Sequence, residues 1–540
     1  MISESKEIIL KKNRLFYNGK IYIQAGDYML ADSMAVSGNR IVAVGKKLER
    51  DEAFDSFEKL NLRGRTVIPG FTDSHTHFYF YALSLGSVKL DGLADLDAAL
   101  AAVKKHAAKL GRDEWVFGEG FSPDRWKKYI LPDKFMLDKV TGGRPAAIYS
   151  KDQHMLWVNS RALELAGLGR KTHDPDGGKI DRLENNEPSG ILRELPGYVP
   201  IIRLIPDPPP ARQQKYFRQA LATAYAKGVT GVHSFDGIEA LDFFDNLSRN
   251  KKLGLRINYY PPAANIPALR KAKIKFGYGN DYFRINGVKI FSDGSLGSQT
   301  ALCFNKYPGP DNQCGVETNT KEQMLKWINA AARLYLPTAI HAIGDRAISN
   351  VLDCYEQAPP LPIGARRRIE HLQMIRRSDI KRLKALGVVA SMQPTHCPSD
   401  ITLIEKYWGK RGRNCYIFNT LLKKGIPLTF GSDLPIEALD PIAGIDAAVN
   451  RRAVGIKKTF YPEERISIAQ AVYGFTAGPA YTVGQEHERG YLLPGYFADF
   501  VILSNNIFKM ARTRIKDVEI VATFFDGKPV YRKKGLSLPF

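Results

Sequence analysis

The sequence predicts an α/β chain built on a TIM-like (β/α)8 barrel, with a small composite β-sandwich domain from both termini and a large insertion after the first barrel strand. Three observations carry this reading. Eight short apolar runs alternate with segments of helical period, as in repeated βα units. Both ends of the chain show strand-like alternation broken by turn dipeptides. One connection between runs is far longer than an ordinary βα loop.

At the N-terminal end, IILKKNRLFYNGKIYIQ, SMAVSGNRIVAVG and RTVIPG alternate apolar and polar positions around Asn-Gly and Ser-Gly turns. The C-terminal stretches GYLLPGYFADFVILSNN and KDVEIVATFFDGKPVYRKKG match them in character, with Asp-Gly as the turn. Termini often lie close together, so residues 1–68 and 484–540 are expected to share one domain. The barrel is expected over 69–89 and 206–483. Its runs are TVIPGFTDSHTHF, GVTGVHSFD, GLRINYYPP, FRINGVKIFSDG, LPTAIHAIGD, RRRIEHLQM, LGVVASMQP and IPLTFGSD. Intervening segments 211–228 and 319–335 carry apolar residues at helical spacing. About 150 residues separate the first run from Gly228, so 90–205 reads as an inserted subdomain near the active site.

Composition narrows the function classes. A chain of 540 residues that is 44% hydrophobic and 11% aromatic buries a sizeable core and is not disordered. No run approaches ~18 consecutive apolar residues, so no membrane span is expected. The opening MISESKEIILKKNR is too charged for a secretory signal. Five cysteines without CxxC spacing argue for a reducing, cytoplasmic setting. The net charge of +22 could attract nucleic acid. It is scattered, however, with longest runs Arg366–Arg368 and Arg532–Lys534, so a small-molecule partner is expected and a nucleic-acid partner is not. A homo-oligomer is compatible with this sequence, and nothing in it requires one.

The chemistry gathers at strand ends. His75 and His77 lie two apart and share one face of an extended strand, a geometry that suits zinc and related divalent ions. His341, His371 and Asp433 close three later apolar runs, at the carboxyl end where barrel active sites form. Core histidines have no reason to choose that end, so the joint reading is a metal site for one or two ions, zinc by default. Lys289 sits between valine and isoleucine inside a strand that a barrel would bury. A lysine there is paired, deprotonated or modified, and a CO2 adduct would make it a carboxylate-like metal bridge.

The runs PGFTDSHTHF, VKIFSDGSLGSQTA, HAIGDRA, RIEHLQ and GSDLP, with the closing GFTAGPAYTVGQEHERGYLLPGYFADFVIL, resemble the metal-dependent amidohydrolase superfamily. The likeness is to its N-substituted formamide deformylase-like branch. The resemblance implies that His75, His77 and Asp433 hold one metal and that carboxylated Lys289 bridges to a second on His341 and His371. It further implies a metal-bound hydroxide as nucleophile, with Asp433 moving the proton to the leaving nitrogen. The function it implies is hydrolysis of a non-peptide carbon–nitrogen bond, in an amide or N-substituted formamide. A deaminase or cyclic amidase of the same superfamily, or a non-catalytic barrel binding protein, are the alternatives. His154 and Asp293 are weaker candidates for substrate contact, since local structure explains each equally well. Among the remaining histidines (His106, His173, His233, His396 and His487), His233 closes an apolar run and ranks first.

Overall fold

The structure is a computed structural model that describes residues 13–24, 30–123, 126–151, 155–175, 178–308, 313–453 and 459–535. The chain forms an α/β fold with mixed sheets and packs as two compact units. One comprises the described residues up to Tyr79 and from Leu221 onward, the other Phe80–Ala220.

In the larger unit, each of the eight apolar runs carries a strand: β1 (Phe71–Thr76), β2 (Val229–Ser234), β3 (Arg256–Tyr259), β4 (Phe283–Ile285) with β5 (Val288–Phe291), β6 (Thr338–Ala342), β7 (Arg368–His371), β8 (Val389–Met392) and β9 (Leu428–Phe430). The fourth run is split because Asn286–Gly287 interrupts it. A Cβ at Gly287 would lie 2.6 Å from the Pro337 carbonyl oxygen and from the Tyr260 ring, so only glycine lets the chain pass there. β1, β2, β3 and β4 are neighbours in one sheet, and β5 to β9 form a second, all in parallel register. The two sheets meet twice, where β5 runs beside the residues after β3 and where the residues after β1 run beside those after β9. Lys289 N donates to Pro261 O (2.9 Å), and His77 N donates to Leu434 O (2.8 Å).

Helices follow the strands where caps and apolar stripes permit them. Lys321–Ala332 opens with a capping box between Thr320 and Gln323 and buries Met324, Ile328 and Ala331. The two ends of the chain share a six-stranded sheet in which Phe500–Leu503 pairs antiparallel with Thr66–Pro69. Phe16, Met34, Val67, Phe500 and Phe524 fill the core beneath it, the last two rings stacked 4.4 Å apart.

The second unit is built on its own six-stranded mixed sheet with helices Leu96–Ala107, Lys134–Thr141, Ser160–Leu165 and Glu194–Ile202. Leu96–Ala107 is capped by Asp95 and buries Leu96, Ala99, Val103 and Ala107, a stripe at helical spacing. Among the described residues, no helix is long and apolar enough to cross a membrane.

Candidate metal centre

Five strand ends converge on one volume. β1 carries His75, with His77 just beyond it; β5 carries Lys289 and β6 carries His341; β7 ends on His371, and Asp433 follows β9. All six residues singled out as ligands lie together. His75, His371 and Asp433 each offer a ligand atom, and these atoms lie within 4.8 Å of one another. Asp433 Oδ1 is 3.4 Å from His75 Nε2 and 3.7 Å from His77 Nε2. Lys289 Nζ is 3.5 Å from His75 Nε2, and the His341 and His371 rings are 4.4 Å apart.

Two of these residues leave the extended conformation. His371 (φ 70°) and Asp433 (φ 61°) occupy the left-handed region that non-glycine residues avoid. At Asp433 the bend is held by its own N–H, which donates to His75 O (2.8 Å). At His371 it changes which side chains meet. Neighbours on a strand face opposite ways, yet Glu370 and His371 both reach His75. Glu370 Oε2 lies 2.6 Å from His75 Nδ1, while the His371 ring stands 5.0 Å from the His75 ring.

Sequence reasoning missed Glu370. It accepts the Nδ1 proton of His75, which leaves the Nε2 lone pair turned toward Asp433 and Lys289; ligating histidines are oriented in this way. Glu370 is itself held by Arg368 and by Ser391 Oγ (2.7 Å). Arg368, fully buried, also donates to His233 Nδ1 (2.8 Å) and Ser74 O (2.7 Å). His233 therefore belongs to the layer behind the site. A signal was available: an arginine and a glutamate in a run expected to be buried are as costly as Lys289 and needed the same explanation.

The electrostatics favour neutral ligands. Burial, reinforced by Lys289, lowers His77 to about 4 and His341 to about 3, and burial first of all holds His75 and His371 well below the usual imidazole range. Burial likewise raises Asp433 and lowers Lys289. His341 Nε2 faces Gly294 O at 3.0 Å and donates to it, which leaves Nδ1 as its open lone pair. His371 Nδ1 is buried with no partner among the described residues. Uncharged imidazoles with open lone pairs, a carboxylate and an orphaned buried nitrogen fit a divalent cation, which would supply the missing partner. Phe235 walls the site, its ring 4.4 Å from His75 and 4.5 Å from Lys289 Nζ.

Asp73, another residue not foreseen, ties β1 to the chain after β9. Its Oδ1 accepts from His75 N (3.1 Å) and Ser432 N (3.0 Å). Burial pushes this carboxyl up to about 6. A raised acid stabilises the fold fully below its unfolded value near ~4, and that stability is lost as pH rises through its folded value. Asp73→Asn keeps the Oδ1 acceptor without the ionisation. Its melting temperature is expected to gain on the wild type as pH rises from 4 to 7, measured on metal-free protein. Parallel melting curves across that range would contradict this assignment.

Asp293 holds the loop after β5 rather than standing open. It accepts from Leu302 N (2.8 Å), Ile343 N (3.1 Å) and Gly344 N (2.9 Å), and lies 3.6 Å from His341 Nε2. His154 lies outside the described residues. His106 is half-buried on Leu96–Ala107, and His173 and His487 are exposed. The ring of His396 is stacked 6.1 Å from that of His371.

The model of the Amidohydrolase family matches residues 58–531. Among curated relatives, the protein LONG AFTER FAR-RED 3 of Arabidopsis thaliana is 32% identical, covering 96% of this chain and 91% of its own length. YtcJ of Bacillus subtilis, named as an amidohydrolase, is 30% identical over 96% of this chain and 99% of its own. The N-substituted formamide deformylase of Arthrobacter pascens is 24% identical over 94% and 96%. The crystal structure of an uncharacterized metal-dependent hydrolase from Pyrococcus furiosus superposes with a TM-score of 0.78 at 29% identity, covering 92% of this chain and all of that one.

Proposed function

This chain belongs to the amidohydrolase family, and from that premise we propose that it hydrolyses a non-peptide carbon–nitrogen bond in a small amide or N-substituted formamide. The observation that carries the proposal is the convergence of His75, His371 and Asp433 within 4.8 Å, with His77, His341 and Lys289 around them. The two parallel sheets, in contact between β5 and the residues after β3 and between the residues after β1 and β9, are read as one (β/α)8 barrel over 69–89 and 206–483. Residues 1–68 with 484–540 are read as its composite β-domain, and 90–205 as an inserted subdomain. The metal site then lies at the carboxyl ends of the strands, where such barrels do their chemistry.

His75, His77 and Asp433 would hold one divalent ion, zinc or a similar metal; His341 and His371 would hold a second, with Lys289 as the bridge if it is carboxylated. An ion bound there supplies Lewis acidity, polarising the scissile carbonyl and acidifying the attacking water. The residues do the rest. Glu370 fixes the tautomer of His75 and the direction of its Nε2. Asp433, whose affinity for a proton burial has raised, takes the proton of the attacking water and delivers it to the leaving nitrogen. A C–O bond forms, the C–N bond breaks, and the products are a carboxylic acid and an amine. Phe235, buried against His75 and Lys289, keeps bulk water from that side of the reacting atoms.

Purified protein loaded with zinc and assayed on a panel of formamides, acetamides and anilides tests this reading. Exhaustive chelation is expected to lower the rate at least about 100-fold, with recovery on adding zinc back. Activity indifferent to chelation, or a protein that takes up no metal, would refute the proposal.

A further inference from the structure

Buried polar atoms without partners are rare in folded proteins and call for an explanation. Three belong to residues 393–396, a segment to which the metal reading gives no task. They are Gln393 Nε2, Thr395 Oγ1 and His396 Nε2, none of which has a partner among the described residues.

The register of β8 bears on which way Gln393 faces. Ser391 pairs with Glu370 on one side and Thr429 on the other, and its hydroxyl donates to Glu370 Oε2 at 2.7 Å. Ser391 therefore points to the side on which Glu370 holds His75. Pairing continues through Met392, whose carbonyl accepts from Gly431 N (3.1 Å). Gln393 lies one residue past the end of β8, and continued alternation would return it to the side of Ser391, one step nearer the carboxyl end. It is 1% exposed, so its Nε2 is desolvated as well as unpaired. His396 begins helix α1 (His396–Tyr407), and its ring lies parallel to that of His371, 12° from coplanar orientation. The His396 imidazole thus flanks the His371 side of the cluster, with the Gln393 amide three residues before it in the chain, and Nε2 of each lacks the hydrogen bond that burial demands.

The surroundings indicate the charge of the missing partner. Asp400 accepts from Gln373 Nε2 (2.9 Å) and Tyr416 OH (2.6 Å), and Glu437 accepts from Ser399 Oγ (2.7 Å). Two carboxylates beside the segment repel an anion, while a neutral group with an oxygen acceptor suits the donor of Gln393.

We propose that Gln393 and His396 form the subsite for the uncharged amide group of the substrate, with Gln393 Nε2 donating to its acyl oxygen and His396 Nε2 bonding its remaining polar edge. The inference rests on the amide-hydrolase reading, and it adds that substrates with a carboxylate beside the scissile bond are poor ones.

The test uses the zinc-loaded full chain. Gln393→Met, which keeps the volume and removes the donor, is expected to lower kcat/KM about 100-fold on the panel amide that the wild type hydrolyses fastest. His396→Asn is expected to lower it about 10-fold. Zinc content should equal that of the wild type in both, which separates this role from metal binding. Crystals of the zinc-loaded wild type soaked with N-methylacetamide should show its oxygen within hydrogen-bonding distance of Gln393 Nε2. Variants with wild-type kcat/KM, or water alone at the two nitrogens in the soaked crystals, would overturn the subsite. If Gln393→Met does not fold, His396→Asn and the soaked crystals decide. An active wild type with indifferent variants removes only the subsite. A wild type inert on every amide, with N-methylacetamide seated at Gln393, removes the hydrolase reading instead.

Discussion

Asp433→Asn is expected to lower turnover between about 100-fold and 10,000-fold, the range for removing a positioned proton carrier. The substitution is isosteric, and the backbone N–H that anchors the bend to His75 O (2.8 Å) is untouched, so the fold should persist. Asparagine can still present an oxygen to a metal, but it cannot take a proton from water and hand it on. The measurement is steady-state turnover on a panel amide with metal content determined on the same sample. A variant retaining more than about a tenth of wild-type turnover would remove Asp433 from proton transfer.

Glu370→Gln is expected to weaken zinc affinity about 10- to 100-fold, as outer partners of metal-binding histidines do. The reason is specific to this site. The 2.6 Å contact to His75 Nδ1 fixes the tautomer that leaves Nε2 free, and an amide holds it less strongly. Competition against a chromogenic chelator gives the affinity. The variant also leaves the fully buried Arg368 without its counter-ion, a costly state in its own right. The double variant Arg368→Met with Glu370→Gln separates the two effects. Stability should return while zinc affinity stays low. Wild-type affinity in a folded Glu370→Gln protein would show that His75 needs no such orientation.

These expectations also mark how far the residues were legible in the sequence. His75, His341 and His371 stood out because a polar group at the carboxyl end of an apolar run is visible in one dimension. Lys289 stood out because its valine and isoleucine neighbours announce burial. Glu370 did not, although it adjoins His371. Strand periodicity sends adjacent residues to opposite faces, so marking His371 as facing the site argued against its neighbour. The left-handed backbone at His371 (φ 70°) breaks that rule, and nothing local in the sequence announces it. Asp73 was hidden for a similar reason. A buried carboxylate whose partners are the backbone N–H groups of His75 and Ser432 leaves no side-chain motif.

By itself the sequence determined the kinds of element and their order: eight apolar runs, strand-like ends, and five strand ends bearing histidine, lysine or aspartate. Periodicity and turn chemistry are local properties, so they can be read from neighbouring residues. Only the tertiary structure decided which of these meet. His75 and Glu370 are 295 positions apart, and Arg368 and His233 are 135 apart. Contacts of that span depend on strand register and on where each chain bends, and those are set by packing between distant segments. The metal-binding residue types were therefore visible in advance, while the contacts by which Glu370 and Arg368 aim them were not.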